Sequence, residues 1–548
     1  MKRLISIVAL FAAVTTTVFA ADTDRTFRIS KNLSIFNSVF RELDLNYVDT
    51  LNYDKMAQTA INAMLQKLDP YTVYIAEEEM DDLTYMTTGE YAGIGALISK
   101  GANGVYIAEP YEGKPAQRND VRAGDIILEI DGENATKFSV SEASARLKGI
   151  PNTTVTLKLQ RHGEKKPIEK KFLREKIQME AIEYSAVLDD KIGYILLSDF
   201  TDHAAMELKT TVTDMVKQHQ IESLVLDLRS NGGGLIDEAV KILGFFLPKG
   251  TTVVTTKGSG VVSERIYKTP TNPVFPDMQL VVLTNSSSAS ASEIIAGAVQ
   301  DLDRGLIIGE RTFGKGLVQS IRPVTYGGHL KVTSAKYYIP SGRCIQAIDY
   351  SHRNEDGSVG AIPDSLTTVF HTKNGRAVRD GGGIVPDSVI EDNRKMNIAY
   401  YIYMQNHYFD FATLYRQQHE NILPPSEFEL SEADFKAFTD YLIEKKFAYT
   451  SQTEKYFNDL LELAKYEGLD ETAVEEFAAL KSKLTPEIAT SIEKNKEDIT
   501  QLLSSEIIKR YYFQKGEIQY TLRFDDVLKT AVSLLSSDTS YQQILTNK

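Results

Sequence analysis

The chain has 548 residues, 42% hydrophobic and 25% charged, with a formal charge of −14. That length exceeds what one hydrophobic core organises, so roughly three or four domains are expected. The acidic balance excludes nucleic acid as the main partner, because phosphate binding needs a basic surface and no Lys/Arg block supplies one.

Residues 1–20 read as an export signal. Lys2 and Arg3 precede an apolar stretch from Leu4 to Val14, and Val18-Phe19-Ala20 places small residues at the cleavage positions. The stretch is too short to span a bilayer comfortably, and no other segment reaches about 18 uninterrupted apolar residues. An exported, periplasmic protein beginning near Ala21 is expected. The alternative is an uncleaved anchor that leaves it membrane-associated.

Residues 27–88 carry helical spacing at Ile35, Val39 and Leu43 and again at Ile61, Met64, Leu65 and Leu68, with Asp69-Pro70 closing the second helix. From 89 to 178 the pattern changes to short strands and turns. Gly93-Ile94-Gly95-Ala96-Leu97-Ile98 opens this unit, Gly104-Val105-Tyr106-Ile107 follows a turn, and Ile126 to Ile130 lies between two more. A helix from Ser139 to Leu147 and a strand from Thr154 to Leu159 complete it.

Residues 179–395 alternate apolar strands (Ile192 to Leu197, Ser223 to Leu228, Leu280 to Leu283) with helical stretches, which is an α/β pattern. The region 396–548 is helical, with a capping-box start at Ser431-Glu-Ala-Asp434 and Pro486 at a first helical position. It carries no readable motif; dimerisation, substrate handling and stability stay open as its role.

Three segments of the α/β region concentrate unusual residues. Leu224-Val-Leu-Asp-Leu-Arg-Ser-Asn-Gly-Gly-Gly234 is a strand running into glycines. Leu283-Thr-Asn-Ser-Ser-Ser-Ala-Ser-Ala-Ser-Glu293 enters a helix. Gly309-Glu-Arg-Thr-Phe-Gly-Lys-Gly316 leads into the strand-like Leu317-Val318-Gln319. Ser290 with Glu293 fits a capping box, so it could serve only as a cap. A hydroxyl at a helix start also lies beside unpaired N–H groups at the positive end of the helix dipole, which suits an oxyanion.

A nucleophilic serine needs a base. There is no Gly-x-Ser-x-Gly elbow, and of the eight histidines the best candidate, His329, reads as an exposed turn residue. A lysine serves if burial lowers its reference pKa of about 10.4 towards neutrality. Lys315, between two glycines and beside Phe313, Leu317 and Val318, suits such a site, and Gln319 could hold its amine. Residue chemistry alone does not choose among Ser288, Ser290 and Ser292.

Two rivals are weaker. Gly309-x-x-x-x-Gly314-Lys315 nearly matches a phosphate-binding loop, with Asp227 as its metal-binding partner. Yet Gly316 replaces the Ser/Thr needed for Mg²⁺, and a strand follows instead of a helix. The only cysteine, Cys344, has no base nearby in sequence and reads as a packed thiol.

Taken together, Ser-Ala-Ser-Ala-Ser-Glu, Gly-Glu-Arg-Thr-Phe-Gly-Lys-Gly-Leu-Val-Gln and Asp-Leu-Arg-Ser-Asn-Gly-Gly-Gly resemble the C-terminal processing peptidases, or tail-specific proteases. Tyr338-Ile-Pro-Ser-Gly-Arg and Asp380-Gly-Gly-Gly-Ile-Val-Pro-Asp387 match further downstream, and the resemblance covers about residues 30 to 395. It implies a multidomain α/β protein with an N-terminal helical region, a PDZ domain at 89–178, a crotonase-like catalytic domain at 179–395 and a C-terminal helical domain. It implies Ser290 as nucleophile, Lys315 as general base, Gln319 as its orienting partner, and an oxyanion hole from the N–H groups of Ala291 and Gly233, with Gly234 second.

Gly93, Ile94 and Gly95 would present N–H groups to the terminal carboxylate of a peptide that pairs with the following strand. Arg118-Asn119-Asp120-Val121 departs from the small residues relatives carry there, which leaves peptide preference open. The expected activity is serine endopeptidase cleavage near protein C-termini, with no metal or other cofactor, and with protein or peptide substrates bearing free C-termini as partners. A homo-oligomer through the C-terminal helices fits the same reading. The competing function is a catalytically silent PDZ adaptor.

Overall fold

The computed structural model describes residues 2–188, 191–258, 264–354, 356–391, 396–469, 472–485 and 487–546. Pro486 lies outside them, as do the side chains of the export segment. The chain divides into two compact units: residues up to Ala76 together with Ser320–Val332, and Glu77–Gln319 together with the chain from Thr333 onward.

The first unit holds helices α1 (Lys2–Asn46) and α2 (Tyr53–Leu65) and strand β1 (Val73–Ile75), which pairs antiparallel with His329–Lys331. Helix α2 starts at Asn52, whose side chain accepts the Lys55 N–H, and ends before Asp69. Asp69 takes the N–H groups of Tyr71 and Thr72, so the turn into β1 was hidden in a region expected to be helical. His329 stands half-buried on a strand, not in an exposed turn.

The second unit begins with α3 (Met80–Thr88). The PDZ-like part then runs through β2 (Glu90–Gly93), β3 (Ala96–Gly101), β4 (Gly104–Pro110), α4 (Pro115–Arg118), β5 (Ile126–Ile130), β6 (Glu133–Asn134), α5 (Val140–Leu147), β7 (Thr154–Gln160), β8 (Ile168–Leu173) and β9 (Glu175–Gln178). A complete capping box between Ser139 and Glu142 starts α5. The sheet order is β3-β4-β5-β7-β8, which leaves β3 at an edge, while β2 and β9 pair with each other. Ile107, Ile127, Leu157 and Leu159 form the centre of its core.

The next sheet contains β10 (Ile182–Leu188), β11 (Ile192–Leu197), β12 (Ser223–Asp227), β15 (Gln279–Thr284), β16 (Leu306–Gly309) and β21 (Ser388–Val389), in that order. The first pair is antiparallel and the others parallel. Parallel neighbours need crossovers, here made by α6 (Ala204–His219), α7 (Ile236–Leu243) with the hairpin β13 (Thr252–Gly258) and β14 (Arg265–Lys268), and α8 (Ala291–Asp301). Strands β17 (Leu317–Pro323) and β18 (His329–Tyr338) follow, and β13 pairs with β18 through residues 335–338. A small hairpin, β19 (Val369–His371) and β20 (Ala377–Arg379), precedes β21.

Strands buried on both faces read as unbroken apolar runs, and both faces are accounted for here. Leu224, Leu226, Leu280, Val282 and Ile307 pack towards the crossover helices. Their alternates Val225, Val281, Leu283, Leu306 and Ile308 pack against the end of the chain.

That end is helical: α9 (Ile398–Met404), α10 (His407–Gln418), α11 (Glu432–Glu444), α12 (Gln452–Tyr466), α13 (Val474–Leu484), α14 (Ile488–Lys494), α15 (Lys496–Thr521), α16 (Asp526–Leu535) and α17 (Asp538–Thr546). Ser431 caps α11 by accepting the Asp434 N–H. The last two helices are the second cover of the parallel sheet. Leu528, Ala531, Leu535, Tyr541 and Leu545 are buried on it, and the Tyr541 hydroxyl donates to the Leu280 carbonyl and accepts its N–H. Among the described residues no helix is long and apolar enough to cross a membrane.

Candidate active site

The three unusual segments meet because they leave the carboxyl ends of neighbouring parallel strands, β12, β15 and β16, where open α/β sheets place their sites. The structure separates the three serines that sequence could not. Ser288 and Ser292 are fully buried, and their hydroxyls donate to the Leu228 and Asn231 carbonyls. Ser290 between them is half-exposed at the start of α8.

Its backbone is unusual, with φ 56° and ψ −112°. A non-glycine residue in such a region costs about 1–3 kcal/mol and persists only where its surroundings impose it. They do: the Ser290 N–H donates to Glu293 Oε2, and its carbonyl accepts the Tyr337 hydroxyl and the N–H groups of Glu293 and Ile294.

Glu293 was legible only as half of a cap, and it does more. Fully buried, its Oε2 accepts the Ser290 N–H and the Lys315 N–H, each at 2.9 Å, so those two nitrogens are at most twice that distance apart. Its Oε1 accepts the Thr312 hydroxyl at 2.6 Å and the Gly314 N–H at 2.7 Å. Burial pushes the carboxyl pKa up, and these four donors offset only part of that rise.

Lys315 is half-buried in a turn whose flanking glycines admit no side chain. A Cβ at Gly314 would stand 2.4 Å from Ala347 Cβ, and one at Gly316 would stand 2.8 Å from Gln346 N. Leu317 is buried and Val318 half-buried, but Phe313 is 44% exposed and gives less shelter than expected. Gln319 lies on β17, its amide donating to the Thr333 hydroxyl.

The glycine turn reaches the same place. A Cβ at Gly233, where φ is 104°, would lie 2.7 Å from Ser290 Cβ and 2.9 Å from Ala291 N. Ala291 N–H is the first of α8 and has no acceptor within the helix. The Gly233 N–H donates to Asn231 Oδ1 at 2.8 Å, so in this arrangement it is not directed at an oxyanion. Asn231 is a second residue the sequence did not single out. Its carbonyl accepts the Ala289 N–H and the Ser292 hydroxyl, and its amide donates to the Leu197 carbonyl, tying the glycine turn to the serine segment.

Elsewhere, Cys344 is half-buried, and burial holds its thiol above the usual range, against reactivity. No group of His, Cys, Asp or Glu among the described residues could hold a metal ion. In the PDZ-like part, Ile94 is buried and its carbonyl accepts the Ala116 N–H, while the Gly95 carbonyl accepts the Tyr111 N–H. Gly95, at φ 70°, passes so close to Lys114 that a Cβ would lie 2.4 Å from Lys114 Cβ. The loop 93–95 is thus fixed at the head of edge strand β3.

Comparison with known proteins adds the following. The profile of Peptidase family S41 matches residues 191–352, that of the PDZ domain 84–160, and that of "Probable PDZ-protease, C-terminal helical domain" 398–535. The carboxy-terminal-processing protease of Bartonella bacilliformis is 36% identical over 321 residues, 58% of this chain and 73% of that protein. A probable CtpA-like serine protease of Staphylococcus aureus is 36% identical over 320 residues, 57% of this chain and 62% of that one. Among solved structures, a photosystem II D1 C-terminal processing protease aligns with 27% identity and a TM-score of 0.36, over 65% of this chain and 86% of that one.

Proposed function

The chain belongs to the carboxy-terminal-processing proteases of peptidase family S41, and on that premise we propose that it is an exported endopeptidase that cuts protein tails with a Ser290–Lys315 pair. The observation that carries this reading is the single Glu293 oxygen that accepts the N–H groups of both residues. One buried carboxylate thereby fixes the nucleophile's helix start and the base's turn against each other.

In the proposed reaction the neutral Lys315 amine takes the Ser290 proton as Oγ attacks the scissile carbonyl carbon. The resulting oxyanion is met by the Ala291 N–H at the positive end of α8. A second donor from the glycine turn requires Gly233 to leave Asn231 Oδ1, or comes from Gly234. Collapse expels the C-terminal fragment as an amine, which receives the proton from Lys315, and leaves an acyl ester on Ser290. Water, deprotonated by the same amine, then frees the enzyme. Gln319 orients Lys315 in this scheme, and edge strand β3 with the loop 93–95 receives the substrate's tail by strand addition.

Ser290→Ala and Lys315→Ala should each abolish cleavage of a model protein with an apolar C-terminal tail, and wild-type activity should rise with pH as the amine loses its proton. A fully active Lys315→Ala protein rules the mechanism out. Tail binding without cleavage by the wild type would instead mark a silent adaptor.

A further inference from the structure

The C-terminal helices touch both working parts of the second unit. Helices α16 and α17 are built into the parallel sheet that carries Ser290, and Arg229, beside the glycine turn, pairs with Asp525 at the head of α16. Upstream, α10 and α15 hold the PDZ part from behind. The Tyr106 ring of β4 lies 5.0 Å from the Phe409 ring of α10, and the Arg510 guanidinium stacks on the Phe409 ring at 4.2 Å. Thr413 fills the space over Gly124, and Gln417 donates to the His162 carbonyl.

At the centre is Glu109 of β4, 7% exposed. Helix α15 breaks at Phe513, where φ is 55° and ψ −164°, and just past this break the Gln514 N–H donates to Glu109 Oε1. Lys509 lies 3.4 Å from Glu109 Oε2 and 2.9 Å from Glu517. The Lys509 charge also acts on Glu183 of β10, and Glu506 of α15 adds to the acidic surroundings of Lys509. Glu109 is also the cross-strand partner of Leu97 on β3, and Tyr106 is that of Ser99. The grip therefore lies one strand behind the edge that receives a tail.

From this we propose that the C-terminal helical region braces strand β3 at a fixed place relative to Ser290, with Lys509 and Glu109 as its positioning pair, and so delivers a captured tail to the nucleophile. The inference rests on the reading of β3 as the tail-binding edge. Its physical basis is effective concentration: a tail held on a fixed mount meets the site far more often than one held on a mount free to wander, although neither contact changes.

The test compares wild type, Lys509→Met and Glu109→Gln in the full chain, on a protein with a free apolar tail and on the same protein with its C-terminus amidated. Binding of the isolated tail peptide is measured by fluorescence anisotropy. The brace predicts unchanged peptide affinity, kcat/KM on the free tail lower by about tenfold, and unchanged slow cleavage of the amidated protein. Equal losses on both substrates, or none, in whichever variant folds would overturn the proposal. Failure of the wild type to bind the tail peptide would refute the tail-binding reading itself.

Discussion

Replacing Glu293 by Gln probes a group that joins nucleophile and base. The carboxylate meets three N–H groups and a hydroxyl. An amide cannot satisfy all four. With its NH2 at the Oε2 position it would confront the N–H groups of Ser290 and Lys315. Turned the other way it can donate to the Thr312 hydroxyl, but it then opposes the Gly314 N–H. The milder arrangement loses one bond to a charged acceptor, about 1.5–3 kcal/mol, and weakens the others. A total near 3 kcal/mol, expressed as misplacement of Ser290 against Lys315, corresponds to about a hundredfold in kcat/KM. Cleavage of a tailed model protein measures it, with far-UV circular dichroism and tail-peptide binding to establish that the variant is folded. A folded Glu293→Gln protein with wild-type kcat/KM would refute the argument that this carboxylate holds the pair together.

Gly233→Ala should cut kcat/KM by about a hundredfold or more, because the new methyl would need the space of Ser290 Cβ and Ala291 N at a φ of 104°. Normal activity in that variant would mean the glycine turn is not held against the nucleophile. Tyr541→Phe leaves the Leu280 N–H and carbonyl without their partner and should lower stability by about 1–3 kcal/mol in urea unfolding. An unchanged midpoint would show that α17 adds nothing to the sheet. His203, beside the β2–β9 connection, is pulled down by burial but raised overall by the hydrogen bond to Asp202, the Glu207 charge and the Met179 carbonyl. Its folded pKa thus exceeds the unfolded value of about 6.5. The stability it contributes is full below that value and lost as pH rises through the folded pKa. The urea midpoint should fall between about pH 6 and pH 8.5 more in wild type than in His203→Gln, and identical slopes would contradict the assignment.

Much of this arrangement could be read before any coordinates. Apolar strands such as Leu224-Val225-Leu226, alternating with helical stretches, announced an α/β sheet, but only one of its two covers was readable. The second is supplied by α16 and α17, some 250 residues away from β15, and local periodicity carries no signal for such a partner. The N-terminal region concealed β1 because three residues are too few to show a period of two. At the site, the serine run was ambiguous because hydroxyl burial is a tertiary property: Ser288 and Ser292 spend theirs on carbonyls of a neighbouring strand's turn. Glu293 read correctly as a helix-start residue, yet three of its four donors come from the Lys315 segment, and only after β15 and β16 pair in parallel. Asn231 carried no signal at all beside three glycines. The break at Phe513 was equally silent, since an aromatic residue inside a helical pattern gives no sign of a left-handed φ.

The most direct measurement is labelling with a serine-directed phosphonate probe followed by peptide mass spectrometry. The account predicts one adduct, on Ser290, absent in Ser290→Ala and reduced to background in Lys315→Ala although that protein is folded. An adduct on another residue, or undiminished labelling of Ser290 in Lys315→Ala, would contradict the claim that this lysine is the base.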